Sequence, residues 1–243
     1  MAYFAIAFVG RVGSSYLQGL VDSHPDASCK AEIVSHPPIS EGEASQVAAH
    51  IDATIGSART PVAGFKLAFC SLPLPSGILE TLEARHYRFL HIERRNKLDQ
   101  YLSMRLAQVN AAWRSDRGSY DIERIELDPA DLLAAIKRFI SYEAAIEQQL
   151  SGRFPYHRVL YEDVVSGKAI PRVLDFLGLE PKPLTSAFRR QRRISQRDSI
   201  ANYEEVAAAL AANGFDRLLD ERRSKPGILG TIRRRLRSPA RRG

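Results

Sequence analysis

Gly10-Arg11-Val12-Gly13-Ser14-Ser15 stands between an apolar run and a segment of helical periodicity. A turn in that place points several backbone N–H groups, and the positive end of a helix dipole, at one spot. That is an anion site, with phosphate as its usual guest. Ser14 and Ser15 add hydroxyl donors, and Arg11 adds a fixed positive charge. The plainer reading is a tight strand-to-helix turn with a serine cap, and these six residues alone do not separate the two. A nucleotide-cleaving phosphate loop needs Gly-Lys-Ser/Thr. Here Ser14 follows Gly13, and no clear acidic strand end offers itself to magnesium, so a nucleotide-dependent kinase is disfavoured.

A second group of chemical residues is His91-Ile92-Glu93-Arg94-Arg95-Asn96-Lys97, followed by Ser103. It falls at the end of an apolar strand and the start of a helix, where open parallel sheets bind their ligands. Arg95 and Ser103 face one phosphate if the helix begins near Asn96. Taken alone, the stretch also reads as a charged, solvated helix start. No His, Cys or Asp cluster has metal-ligand spacing.

Positioning these residues takes strands that alternate with helices. Tyr3–Val9 reads as a buried strand, and Tyr16, Leu17, Leu20 and Val21 recur at helical spacing up to Ser23-His24-Pro25. Residues 43–57 form an Ala-rich helical pattern, Val62–Phe69 a strand carrying Lys66, and Ser71–Gly77 a Pro-rich loop. Tyr87–Ile92 reads as a strand, Asn96–Trp113 as an amphipathic helix, and Ile122–Leu127 as a further strand. Asp128-Pro129 opens a long helix; Tyr156–Tyr161 is strand-like, and Ile170–Leu177 is a helix closed by Gly178. Residues 180–199 form a Pro- and Arg-rich loop, with a last helix over Tyr203–Ala212. The alternation predicts an α/β fold with a mainly parallel sheet covered on both faces.

Composition narrows the classes. The chain has 243 residues, 44% hydrophobic and 26% charged, which is ordinary globular composition and excludes a fibrous or wholly disordered protein. The apolar run Phe4–Val9 is far too short for a membrane span, and no signal-peptide pattern surrounds it. Two cysteines, Cys29 and Cys70, are too few for a disulfide scaffold and suit a reducing cytoplasm. The net charge of +7 is localised: residues 222–243 hold nine of the 35 Lys and Arg and none of the 28 acids. Residues 1–221 therefore read as a nearly neutral domain and 222–243 as a basic, flexible tail, without the body-wide basic patch of a nucleic-acid binder. Within the tail, Ile228, Leu229, Ile232 and Leu236 lie among Arg233, Arg234, Arg235 and Arg237, as in a short amphipathic helix on an anionic membrane or in a solubilising tail.

Together these motifs carry a resemblance. Phe8-Val9-Gly10-Arg11-Val12-Gly13-Ser14-Ser15-Tyr16-Leu17, then Leu20-Val21-Asp22-Ser23-His24-Pro25, resembles the 5′-phosphosulfate loop of sulfotransferases that use 3′-phosphoadenosine 5′-phosphosulfate (PAPS). Arg95 and Ser103 are spaced like the Arg and Ser of that family's 3′-phosphate motif. Tyr161-Glu162-Asp163, with Phe176-Leu177-Gly178-Leu179 behind it, is similar to the family's Tyr-Glu-Asp and Phe-Leu-Gly. Arg94–Ser103 and Ile200-Ala201-Asn202-Tyr203-Glu204-Glu205-Val206 are similar to bacterial carbohydrate sulfotransferases of the Nod-factor, lipopolysaccharide and trehalose types. Two residues depart from the pattern: Val12 replaces a small hydroxyl residue and Ser15 a threonine.

The resemblance implies a P-loop-like three-layer fold over roughly residues 3–215, and metal-free transfer of a sulfuryl group from PAPS to a hydroxyl or amine. It implies that Gly13, Ser14, Ser15 and Tyr16 help hold the donor's 5′-phosphate end, with Arg11 steadying charge on the leaving phosphate. Arg95 and Ser103 would hold the 3′-phosphate, Arg190 would close over it, and Tyr161 would meet the adenine. Glu32 takes the place of the general base, with His24 and His36 as rivals, and Lys66 resembles a strand lysine near the transferring group. His24 also reads as a helix-end residue, His36 as a loop residue, Lys66 as a lysine snorkelling from a strand end, and Trp113 as packing at a helix end. Acceptor loops fall at 33–45, 71–77 and 114–121. Their polar make-up suits a carbohydrate or glycolipid, in the cytoplasm or at the inner face of the membrane. A basic-tailed module binding nucleic acid or membrane is the non-enzymatic alternative.

Overall fold

The computed structural model describes residues 1–69, 74–75, 77–113, 115–117 and 120–219. Cys70, the proposed tail at 222–243 and parts of the acceptor loops at 71–77 and 114–121 lie outside the described residues.

Strand β1, Ala2–Phe8, leads through the Gly10–Gly13 turn into α1, Ser14–Asp22, and then into a short strand β2, Ala27–Lys30. Helix α2, Ala44–Gly56, precedes β3, Val62–Ala68; α3, Ile78–Ala84, precedes β4, Arg88–Glu93. Helix α4, Lys97–Val109, starts at a cap in which the Asn96 side chain accepts from the Asp99 amide. Asp128 caps α5, Pro129–Leu150, in the same way, with Pro129 in the first turn. Then follow β5, Tyr156–Leu160; α6, Tyr161–Val165; α7, Ile170–Leu177; α8, Gln196–Ser199; and α9, Tyr203–Ala212.

The five strands form one parallel sheet in the order β2-β3-β1-β4-β5. β1 is central and almost wholly buried. Its alternate residues divide the core: Phe4, Ile6 and Phe8 pack with α1 and α7, while Ala5, Ala7 and Val9 pack with α2 to α5. Helices thus cover both faces, giving three layers. The order turns away from β1 in both directions, toward β3 and toward β4. The carboxyl ends of these strands frame the crevice where such sheets take ligands.

The strand expected over Ile122–Leu127 does not form. Side chains stand in for its ladder. Asn110 accepts from the amides of Asp121 and Ile122 and donates to the Ile122 carbonyl. Asn202 brackets Leu127 through both of its backbone groups. The segment keeps a single parallel bridge, Ile125 to Ile200. Its isoleucines do not alternate with a polar face, and Ile122 is exposed.

Candidate active site

The Gly10–Gly13 turn is shaped by two residues in the left-handed region, Arg11 at φ 67° and Gly13 at φ 83°. Gly13 is the N-cap of α1 and supplies no side-chain cap. The first-turn amides of α1 are therefore open to a ligand. The aromatic ring of Tyr161, at the start of α6, lies directly on Gly13: a β-carbon there would come within 2.3 Å of Tyr161 Cδ2. Gln100 on α4 donates to the Gly10 carbonyl at 2.8 Å and fixes the turn from the other side.

A cleft of ≈ 670 Å³ opens over this turn. Gly13, Ser14, Ser15 and Tyr16 form its floor; Ser103, Trp113 and Tyr161 form part of its walls. Arg11, Arg94, Arg189, Arg190 and Arg192 all line it, against the two carboxylates Asp99 and Glu162. The local charge is strongly positive, as an anion site requires.

Arg11 crosses the cleft. Its Nε and Nη2 donate to Ser103 Oγ at 3.2 and 3.1 Å. Nη1 donates to the Trp113 carbonyl at 2.7 Å, and Nη2 also donates to Tyr120 Oη and Gln191 Oε1 at 3.0 Å each. Burial, and secondarily the nearby Arg94, lower the Arg11 pKa, while Tyr120 opposes the shift. A guanidinium stays charged through such a shift. Arg11 and Ser103 are therefore brought together, with Arg190 on the rim.

Arg94 rather than Arg95 enters the cleft. The Arg94 guanidinium is buried, 4.9 Å from the Tyr161 ring, and its Nη2 donates to Asp99 at 3.1 Å. Its Nε is buried without a hydrogen-bond partner. Asp99 also accepts from the buried Arg192. The Arg95 side chain is 66% exposed, 4.0 Å from Asp163, and lines a separate cavity of ≈ 530 Å³ with Ile136, Phe215 and Leu218. Strand alternation explains the exchange. Leu90 and Ile92 face α1 and α7, and Arg94 continues that face; Phe89 faces α5, and Arg95 continues the other. Sequence reasoning missed Arg94, Asp99 and Arg192. The two-residue period running out of β4 was the signal that finds Arg94.

On the far side of the turn, three groups stand in line. Lys66, buried in β3, donates to Ser15 Oγ at 3.0 Å and pairs with Glu32 Oε1 at 3.0 Å. Its ammonium also lies 5.0 Å from the Phe8 ring centre. Glu32 is one-third exposed, and its second oxygen makes no hydrogen bond among the described residues. The rivals are placed otherwise. His24 is 1% exposed, with Nε2 on the Glu180 carbonyl and Nδ1 accepting from the Asp26 amide. His36 is exposed beyond Glu32. Among the described residues, no three His, Cys, Asp or Glu gather as a metal-binding group.

No protein-family model matches the sequence, and no curated protein matches it. Solved structures do match. A sulfotransferase from Alicyclobacillus acidocaldarius shares 18% identity over 90% of this chain and 96% of its own, with a TM-score of 0.49. Mouse sulfotransferase SULT7A1 complexed with PAP shares 16% identity over 75% of this chain and 60% of its own, with a TM-score of 0.45. The sulfotransferase domain from the curacin biosynthetic pathway shares 15% identity over 75% of this chain and 76% of its own, with a TM-score of 0.45.

Proposed function

We propose that this chain transfers a sulfuryl group from PAPS to a hydroxyl of a carbohydrate or glycolipid acceptor, releasing PAP. One observation carries the reading: a single turn, residues 10–15, faces an arginine-lined cleft on one side and the Glu32–Lys66–Ser15 line on the other. An anionic donor and an acceptor's base then meet at the same loop.

The residues present fit the donor. The open amides of α1, with Ser14 and Ser15, suit its 5′-phosphate end, and the arginine group suits a second phosphate. The unpartnered Arg94 Nε is a buried donor that such a phosphate would satisfy. Tyr161 and Phe188 offer aromatic faces to the adenine. The donor supplies the sulfuryl group; the protein supplies position and charge. Glu32 takes the acceptor's proton as the oxygen–sulfur bond forms. Lys66, on Ser15, holds the negative charge that develops on the leaving phosphate oxygen, and Arg11, fixed across the cleft on Ser103, adds positive charge to the donor site. In this reading the acceptor enters along residues 33–45, and the enzyme works in the cytoplasm, with its tail resting on the inner face of the membrane.

The test is thermal. PAP at a hundred times its Kd, without metal, should add about 2.7 kcal/mol to the folded state and raise the Tm by several degrees. A Tm unmoved by millimolar PAP overturns the reading, and a rise with MgATP alone turns it toward a kinase.

A further inference from the structure

Lys97 and Glu143 form a buried ion pair that the chemistry above does not use. Lys97 opens α4 and Glu143 lies midway along α5, each side chain 9% exposed, with Nζ and Oε1 2.5 Å apart. The same Nζ donates to the Arg94 carbonyl at 2.5 Å. On the other side of that peptide unit, the Arg95 amide donates to both oxygens of Glu162 at 3.1 Å. The peptide that carries Arg94 into the cleft is therefore clamped at its C=O by Lys97 of α4, itself paired to α5, and at its N–H by α6.

We propose that Lys97 and Glu143 are positioning residues that aim the Arg94 guanidinium into the anion cleft by holding the Arg94 carbonyl. An apolar pair would join α4 to α5 as well or better, because a buried ion pair seldom repays its desolvation. An apolar pair could not donate to the Arg94 carbonyl. The surroundings agree. From β4, Glu93 and His91 face the pair; from β5, Arg158 and Tyr156; from α5, Glu147. Burial pushes the Glu143 carboxyl up to about 7, against the pull of Lys97. The folded chain thus keeps this proton to higher pH than the unfolded chain, whose ordinary value is 4.5. Its contribution to stability is full below 4.5 and is lost as the pH rises through about 7. A carboxylate that weakens the fold near neutrality is retained for the geometry it imposes. When Glu143 is protonated, Lys97 loses its counter-charge and its hold on the Arg94 carbonyl loosens.

The proposal takes its ligand from the proposed function, so the experiment separates the two. Binding of PAP to the full chain is followed by the fluorescence of Trp113, the single tryptophan, which lines the cleft. Inorganic pyrophosphate serves as a second probe that asks only for a phosphate-binding cleft. Wild type failing with PAP but binding pyrophosphate refutes the sulfotransferase reading and leaves this proposal to be judged on pyrophosphate. Wild type failing with both overturns this proposal too. The Lys97→Met/Glu143→Leu variant should weaken binding by about tenfold or more while its Tm stays within a few degrees of wild type. Glu143→Gln decides if that variant does not fold. Wild-type affinity should fall as the pH drops through about 7, whereas the ratio to Glu143→Gln, which cancels the ligand's own titration, should approach one on the acid side. Wild-type affinity in the double variant, or a pH-independent ratio for Glu143→Gln, overturns the proposal.

Discussion

Glu32 meets the residue 10–15 turn through other side chains. Its partner Lys66 touches Ser15 at 3.0 Å, so the carboxylate is registered to the loop that would hold the donor. A general base in that place contributes about 10²–10⁴-fold. Glu32→Gln keeps the shape and removes the basicity. Steady-state turnover should fall by about two to four orders of magnitude, with PAP affinity within a few-fold of wild type. Normal turnover in Glu32→Gln, with a dead His36→Ala, would move the base to His36. His24 is a poor rival because both ring nitrogens are engaged with backbone groups. The loop and Ser103 were legible as residue types at suggestive spacings; Glu32 and Lys66 came from the resemblance, and their pairing only from the fold. Arg94 was not legible, because an Arg-Arg doublet looks symmetrical until the strand's two faces are known. Asp99 and Arg192 were hidden for a similar reason: 93 residues separate them, and only the packed loop brings them together.

At the level of elements, the strand–turn–helix at the N-terminus does most to place the site. Its sharpest constraint is Gly13, with φ 83° and a tyrosine ring where a side chain would begin. Gly13→Ala must accept a left-handed backbone, at roughly 1–2 kcal/mol, and must also push Tyr161 off the loop. A Tm several degrees lower, with PAP binding at least about tenfold weaker, is the expected result. A variant with wild-type Tm and affinity would show that the turn is not the donor's cradle. Elements with strong local signals were readable. α7 carries apolar spacing and a closing glycine at Gly178, and β1 is one apolar run. β2, α3 and α6 were missed. β2 has four residues, α3 follows a Pro-rich loop, and α6 is a single short turn leaving β5, so their stability comes from packing rather than from local pattern.

On the scale of the whole chain, charge is divided: residues 222–243 carry nine cations and no acid, and the rest is nearly neutral, with 26 bases against 28 acids. If the arginines served the anion cleft alone, they would gather there, and the cleft already has its own from the turn, the β4–α4 connection and the 189–192 loop. In the sequence, Ile228, Leu229, Ile232 and Leu236 lie among the tail's cations, which suits either an interfacial helix or a solubilising tail. Each Lys or Arg near an anionic leaflet contributes about 1 kcal/mol, so even partial engagement of nine would hold the chain at such a surface, as the proposed function requires. The attraction is electrostatic and falls off within about 10 Å at 0.1 M salt. Co-sedimentation with phosphatidylserine vesicles should therefore be strong at low salt, weak at high salt, and lost when residues 224–243 are deleted. The deleted chain should keep its PAP-dependent Tm rise and its turnover of a soluble acceptor, because the cleft residues named above lie between Arg11 and Arg192. Vesicle binding that survives the deletion would place the membrane contact on the folded body instead, and loss of turnover on the soluble acceptor would make the tail part of the catalytic unit.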